Sequence, residues 1–134
     1  MTDKKQIVRR WLDVSALGPS EAWHELCSSD LVVRFPYAPP PVQRELNGLD
    51  AALATSSAHW NNMAKFEWHD VEIHATDDPD LFMTTCRSET MTVGGYPYAN
   101  NYVLKTRFRD GKIVEHVEWF DPAPVIKMIE ALSG

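Results

Sequence analysis

Four long stretches in the second half of the chain alternate like β-strands, and they constrain the fold more than any other feature. They cover residues 66–75, 81–92, 98–109 and 112–120. Turn-forming residues separate them, and Asp110-Gly111 is a pair typical of two-residue hairpins. A strand of about ten residues spans roughly 33 Å, which is longer than usual, so such a sheet must twist and curl. The pattern predicts a curved antiparallel meander with a concave side.

The other segments predict helices that cover one face of this sheet. Helices are expected over residues 4–17, 20–26, 48–62 and 122–132, with a further short strand over 31–35. Gly18-Pro19 ends the first helix, Ser20 caps the second, and Asp121 caps the last. The proline-rich segment 36–41 is either the rim of a pocket or a plain connector. This order predicts a single α+β domain over residues 1–134.

Composition and charge exclude several classes of partner. With 13 Lys and Arg against 19 Asp and Glu, the net charge is −6, which disfavours nucleic acid and other polyanions. The polar start Met1–Gln6 predicts no signal peptide, and no stretch approaches the length of a membrane span. Cys27 and Cys86 match no metal or redox motif. We expect both to be reduced, semi-buried packing residues in a cytoplasmic protein.

Glu118 is the main candidate for chemistry. Alternation in its segment places Ile113, Glu115, Val117 and Trp119 on one face, and Val114, His116, Glu118 and Phe120 on the other. A carboxylate between Val114 and Phe120 on an enclosed face is costly to keep ionised, and such a group is a usable general acid or base. The alternative is an edge-strand glutamate in water.

Short motifs follow one another through the same half of the chain. They are Glu67-Trp68-His69, Asp78-Pro79, Gly95-Tyr96-Pro97, Asn100 and Tyr102, Asp110-Gly111-Lys112-Ile113, and Glu118-Trp119-Phe120-Asp121-Pro122. Their order and spacing over residues 66–132 resemble the phenazine-biosynthesis A/B proteins. Those proteins belong to the SnoaL-like, ketosteroid-isomerase-like group of the nuclear-transport-factor-2-like (NTF2-like) superfamily.

The resemblance implies a cone-shaped fold in which a strongly curved, mostly antiparallel sheet wraps around helices and encloses a pocket. It also implies that Glu118 is an acid/base residue in that pocket. Phenazine A/B proteins condense two molecules of an amino-ketone cyclohexene carboxylate, need no metal or organic cofactor, and work as dimers. Ketosteroid isomerases have an Asp before a Pro in the first strand, whereas this chain has Phe35-Pro36. An isomerase of that type would therefore lack its base.

Two histidines are candidates beside Glu118. His116 shares its face and forms a coupled acid–base pair with it if both line the pocket; the alternative is a solvated position near the strand's mouth. His59 shares a helix face with Thr55, at a spacing of four residues. That polar stripe points either to water or into the cavity, where His59 would hydrogen-bond a substrate oxygen or carry a proton.

The substrate-binding candidates lie on strands. Tyr98, Asn100 and Tyr102 share one face, so Asn100 would hold a polar substrate group and the tyrosines would wall the pocket. Cross-strand aromatic packing explains the tyrosines equally well. Arg34 and Arg87 are the strand-borne arginines that could bind a carboxylate, and the competing expectation for both is the surface.

The histidines His69 and His74 do not predict a metal site. Five residues apart on a strand, they are expected to point to opposite faces, and no third ligand lies at a useful spacing. Nucleophile-elbow, phosphate-loop and dinucleotide motifs are also absent from the sequence. We therefore expect no metal.

The sequence predicts a cofactor-independent enzyme that acts on a small cyclic carbonyl or imine metabolite by condensation, cyclisation or isomerisation, with Glu118 as the acid/base group. One alternative is a pocket protein that binds a small molecule without turning it over. Others are an isomerase or dehydratase of the same superfamily, or a module that only dimerises. We expect a homodimer through the outer face of the sheet, with Val117 and Trp119 in the interface.

Overall fold

The structure is a computed structural model that describes residues 3–133, so Met1, Thr2 and Gly134 of the predicted domain lie outside it. In chain order the elements are α1 (Lys4–Ser15), α2 (Ala22–Leu26), β1 (Cys27–Arg34), β2 (Glu45–Asn47), α3 (Leu49–Trp60), β3 (Met63–Ala75), β4 (Leu81–Thr92), β5 (Pro97–Arg109), β6 (Lys112–Phe120) and α4 (Pro122–Ser133). These helices and strands make an α+β fold, as predicted. None of the helices in the described part of the chain is both long and apolar enough to cross a membrane.

The six strands form one curved, unclosed sheet in the order β2-β1-β6-β5-β4-β3. Strands β3 to β6 make the predicted antiparallel meander, and β1 joins β6 in parallel. At the last hairpin Asp110 has φ 52° and Gly111 has φ 79°. Positive φ at both central residues is what a two-residue turn of this kind requires, so the Asp-Gly signal is confirmed.

Irregularities in register bend the long strands, and two of them lie inside β3 and β6. In β3 the register shifts between His69 and Glu72, around Asp70, which has φ 54°. In β6 the register shifts after Ile113, because Phe108 pairs with Ile113 while Arg107 pairs with Glu115, which leaves Val114 as an extra residue. Bulges of this kind increase the local twist and help the sheet to curl.

The bulge in β6 also corrects the predicted alternation. Ile113 is completely buried and packs in the same core cluster as Val8 and Trp11 of α1, on the helix-covered face. It therefore does not share the face of Glu115, as strict alternation would require. The extra residue Val114 restores the expected pattern from Glu115 onward.

The helices cover the concave face, as expected. In β5 every second residue from Tyr98 to Phe108 is buried. The largest core cluster joins α1, α2 and the start of α3 to the sheet, with Trp11, Trp23, Leu31 and Phe108 among its members. A second cluster holds α4 against Tyr98 through Val125 and Met128. Each large apolar side chain buried in this way contributes roughly 1.5–3 kcal/mol.

Several predicted element boundaries change. Strand β1 begins at Cys27 instead of residue 31, β3 begins at Met63 instead of residue 66, and the three-residue edge strand β2 was not predicted. Such a short strand carries no alternation from which to recognise it. Ser20 does not cap α2, because the N-cap position falls on Glu21 and has no side-chain hydrogen bond. At α4 the predicted cap is present, since the Ala123 backbone N–H donates to Asp121 Oδ1 at 3.0 Å.

Candidate functional site

A cavity of about 550 Å³ opens between the concave face of the sheet and the helices. This volume lies in the range of pockets that hold drug-sized ligands. Its apolar wall comprises Trp11, Trp23, Val33, Phe35, Pro41, Val42, Leu46, Trp60, Met63, Phe66, Trp68, Phe120, Val125, Met128, Ile129 and Leu132. Its polar lining comprises Ser15, Gln43, Thr55, Ser56, His59, Asn62, Tyr98, Tyr102, His116 and Glu118. Of the proline-rich segment 36–41, Pro41 forms part of the wall.

Glu118 points into this cavity beside His116. The two side chains are joined by a contact of 2.9 Å between His116 Nε2 and Glu118 Oε2. His116 is only 4% exposed, and the Glu118 side chain is 21% exposed. His116 is therefore buried, and the alternative of a solvated position near the strand's mouth is wrong. No other hydrogen bond to the Glu118 carboxylate is found among residues 3–133, so Oε1 is left for a ligand.

A third residue determines which nitrogen of His116 carries the proton. Trp11 Nε1 lies 3.3 Å from His116 Nδ1, and an indole N–H can only donate. Nδ1 must then accept, so the hydrogen-bond pattern assigns a neutral imidazole with its proton on Nε2. That proton is donated to the Glu118 carboxylate. The chain Trp11–His116–Glu118 thus holds the carboxylate in place with an uncharged donor.

The sequence did not identify Trp11 as a site residue. It is 2% exposed, and its ring meets Trp23 edge-on with centroids 4.9 Å apart. A buried tryptophan usually finds an acceptor for its N–H, which is the signal that could have suggested a polar partner. The sequence could not say that the partner would be His116, 105 residues away.

Asn100 belongs to the framework of the site. Its Nδ2 donates to Tyr98 Oη and to the Asp121 carbonyl, both at 2.8 Å. Its Oδ1 accepts from the backbone N–H groups of Asn101 and Asp121, at 2.8 and 3.1 Å. With its polar atoms paired inside the protein, Asn100 joins β5 to the start of α4. It does not line the cavity, although sequence reasoning expected it to hold a substrate group.

The two predicted tyrosines do line the cavity. Their hydroxyl oxygens are 3.2 Å apart, and Ser88 Oγ lies 3.3 Å from Tyr102 Oη. Burial raises the pKa of Tyr98 and raises that of Tyr102 further, and the nearby Glu118 charge acts in the same direction on both. Both hydroxyls therefore stay protonated at neutral pH. One proton serves the contact between them, which leaves the other free to donate to a ligand.

Helix α3 turns its polar stripe toward the cavity. Thr55 and His59 of this helix belong to the lining, and so does Asn62, two residues beyond the end of the helix. His59 is partly exposed to solvent. The surrounding protein nevertheless desolvates the imidazole and lowers its pKa, and the charge of Glu118 partly opposes this effect. His59 is therefore neutral at neutral pH. Trp60, at the end of this helix, is a wall residue that packs against Phe66 at a centroid distance of 5.3 Å.

The structure does not bring the arginines to the cavity. Arg34 lies on the outer face, where Nε is 2.8 Å from Glu45 Oε1 and Nη1 bonds Glu115. Arg87 pairs with Asp70 and Glu89. Both therefore take the surface position that sequence reasoning kept as the alternative. At the position of the missing isomerase base, Phe35 contributes an apolar ring to the wall, 6.3 Å from Phe120.

One group outside the cavity has metal-ligand residue types. Glu67 and His69 of β3 meet Glu89 of β4, with their ligand atoms within 4.8 Å of one another. Sequence reasoning found no third ligand because Glu89 comes from the neighbouring strand, directly opposite Glu67. The two carboxylates also contact cations, since Lys65 is 3.5 Å from Glu67 and Arg87 is 3.2 Å from Glu89. The group lies on a partly exposed surface network of ion pairs.

The cysteines are unsuited to nucleophilic chemistry. Cys27 and Cys86 are free and only 3% and 7% exposed, which is deeper than the predicted semi-buried positions. Burial raises the pKa of each thiol to about 12. Because the thiolate is the reactive form, neither residue supplies a nucleophile at neutral pH.

The comparisons with known proteins agree with this architecture. The chain belongs to the SnoaL-like domain family, whose model matches residues 8–116. It is 29% identical to an uncharacterised PhzA/B-like protein of Pseudomonas aeruginosa, an alignment that covers 97% of this chain and 90% of that protein. The resemblance drawn from the sequence motifs is thereby confirmed. Glu118 lies two residues beyond the matched family segment.

Solved structures share the fold. A candidate isomerase from Bacillus subtilis superposes with a TM-score of 0.82 at 19% identity, covering 95% of this chain and 94% of that one. A phenazine biosynthesis-related protein, PhzB2, from Pseudomonas aeruginosa superposes with a TM-score of 0.75 at 21% identity, covering 96% of this chain and 84% of that one. The NTF2-like cone fold is thus established for this chain.

Proposed function

We propose that the protein is a small-molecule enzyme that moves a proton on a cyclic carbonyl or imine compound, with Glu118 as the general base and acid. One observation carries this proposal: the Glu118 carboxylate projects into an apolar cavity and is held there by an uncharged donor, His116. The kinship with PhzA/B-like proteins, and the likeness to a candidate isomerase, support a reaction of the isomerase or cyclase type.

The tyrosine hydroxyls are placed to assist such a proton transfer. Glu118 pairs with Leu104 across the β5–β6 ladder, so Tyr102 is its diagonal neighbour on the same face. Diagonal neighbours in a sheet lie roughly 7–8 Å apart, a distance that one bound ring can span. A substrate whose carbonyl oxygen faces the tyrosines would present the carbon beside that carbonyl to Glu118.

The step balances without a redox partner. Glu118 takes a proton from the carbon, the C–H bond breaks, and the electron pair moves onto the carbonyl oxygen. The free tyrosine proton stabilises the resulting oxyanion by a hydrogen bond. Glu118 then returns its proton to another atom of the substrate, and neutral His59 is placed to relay protons at the mouth. A transfer of this kind needs no metal or organic cofactor.

Deuterium exchange tests this role without knowledge of the natural substrate. The protein should speed the exchange of the acidic C–H protons of β-tetralone for deuterium in D₂O. Proton NMR measures the rate of this exchange. A Glu118→Gln variant should fold normally and lose about 10²–10⁴-fold of that rate, the usual contribution of one acid/base group. Equal rates for the two proteins would refute the role.

The second candidate is a protein that binds a small aromatic metabolite without turning it over. The predominantly apolar wall favours it as much as it favours an enzyme. Calorimetric binding of β-tetralone by both proteins, with no exchange above the solvent rate, is the result this candidate predicts.

We also propose that the protein forms a homodimer through the outer face of its sheet. Val103 is 41% exposed there, directly opposite Trp119. Val117, which sequence reasoning placed in the interface, is only 3% exposed and has little surface to add. Sedimentation should show a dimer at micromolar concentration that Val103→Lys weakens. A strict monomer would rule the dimer out.

A further inference from the structure

We propose that the cavity selects uncharged aromatic ligands and rejects carboxylates. This inference rests on the proposed function for the place where the ligand binds. It separates this chain from the carboxylate chemistry that the phenazine resemblance implies. The basis of the selectivity is charge, because the cavity contains the Glu118 carboxylate and no Lys or Arg among residues 3–133 belongs to its lining.

Glu118 is the single Asp, Glu, Lys or Arg among the cavity's lining residues in the described range 3–133. The two lining histidines do not offset its charge. His116 is held neutral because Nδ1 accepts from Trp11, and burial lowers the pKa of His59 so that it is neutral at neutral pH. The cavity therefore carries a net negative charge in an apolar setting, where repulsion between like charges is stronger than in water.

The arginine that the sequence offered for binding a carboxylate is engaged on the other side of the sheet. Arg34 bonds Glu45 and Glu115 there. An anionic ligand in the cavity would thus lose its hydration and gain no cationic partner, which is the costly case for a buried charge.

The rest of the wall suits an uncharged ligand with oxygen acceptors. Trp60, Phe66 and Trp68 form a run of edge-to-face rings, with centroid distances of 5.3 and 4.8 Å, that offers contact to flat ring systems. The free proton of the Tyr98–Tyr102 pair can donate to a carbonyl or hydroxyl oxygen. Aromatic contact and a neutral donor favour ketones and phenols over acids.

Calorimetric titration near neutral pH tests the proposal with two matched pairs of probes. These are methyl naphthoate against naphthoate, and the methyl ester of anthraquinone carboxylate against the free carboxylate. Within each pair the ring is unchanged and only the charge differs. At least one ester should bind about tenfold or more tightly than its acid.

Three variants locate the cause of the selectivity. In Glu118→Gln, the dissociation constants of ester and acid should lie within about threefold of each other. Glu130→Gln makes the same charge change at an exposed position outside the lining and should leave the difference in affinity between ester and acid unchanged. Arg34→Gln should not weaken binding of the acid.

Equal or tighter binding of the acids, or binding of neither ester, would overturn the proposal. An unchanged difference in affinity between ester and acid in Glu118→Gln would also overturn it. Because these are equilibrium measurements, their failure is distinct from failure of the proposed catalysis. A protein that prefers esters but keeps full β-tetralone exchange in Glu118→Gln would retain the selectivity and lose the catalytic role.

Discussion

Glu115 and Glu118 lie three residues apart on β6, and the sheet gives them opposite surroundings. Glu115 faces outward, where Lys105 is 3.0 Å from its carboxylate, Arg107 is 3.5 Å away, and Arg34 also bonds it. Glu118 faces inward, where its partner is a neutral imidazole. The comparison teaches that the same side chain on the same strand becomes structural or reactive according to the charges that face it.

The pKa of Glu115 reflects this setting. Partial burial raises it, but the interactions with Lys105 and the charges of Arg34 and Arg107 outweigh burial, so the pKa lies below its ordinary value. A carboxylate held ionised by three cations is a poor base. Among residues 3–133, no Lys or Arg lines the cavity beside Glu118, so its carboxylate remains available to accept a proton.

Removing both cavity hydroxyls should have the largest effect on catalysis after removal of the Glu118 carboxylate itself. A Tyr98→Phe, Tyr102→Phe double variant should slow β-tetralone exchange by about 10²–10³-fold, the usual cost of losing an oxyanion donor. Either single variant should lose less, because the remaining hydroxyl keeps its own proton. Tyr37→Phe, at an exposed position, is the control. A double variant with the wild-type rate would show that the inner face lacks the donor that distinguishes it.

The outer face should matter for stability. Glu115→Gln should lower the free energy of unfolding by about 1–3 kcal/mol, because three neighbouring cations each lose one anionic partner. Arg34 keeps its ion pair with Glu45, and Arg107 keeps its ion pair with Asp78. Since the folded pKa of Glu115 is lowered, this stabilisation is complete above the ordinary pKa of about 4.3 and is lost as the pH falls through the folded value. Urea unfolding at neutral and acidic pH measures both. If the difference in the free energy of unfolding between wild type and Glu115→Gln grew at acidic pH, the lowered pKa of Glu115 would be contradicted.

A smaller effect should follow from removal of the indole N–H above His116. Trp11→Phe should lower the free energy of unfolding by about 1–2 kcal/mol more than Trp23→Phe does, because it removes the hydrogen bond to His116. Trp23 Nε1 has no partner among residues 3–133, so Trp23→Phe removes no hydrogen bond. Nitrogen-15 NMR should find the His116 proton on Nε2 in the wild type and a mixture of tautomers in Trp11→Phe. A wild-type proton on Nδ1 would refute the hydrogen-bond chain.

Sequence reasoning reached the meander, the closing helix and the inward direction of Glu118, because alternation and turn chemistry are local signals. It misplaced Ile113, since a bulge adds one residue without any change in composition. It wrongly expected Asn100 to line the cavity, and it left two positions open for Arg34 and for the helix stripe with His59. Their positions depend on contacts with Asp121, Glu115 and the cavity, which only the folded chain brings together.

The measurement that bears most directly on this account compares the two glutamates of β6 in one assay. Deuterium exchange into β-tetralone should fall by about 10²–10⁴-fold in Glu118→Gln and stay within about twofold of the wild type in Glu115→Gln, at a temperature where both variants are folded. Equal losses in the two variants, or an undiminished rate in Glu118→Gln, would contradict the claim that the inward carboxylate performs the chemistry.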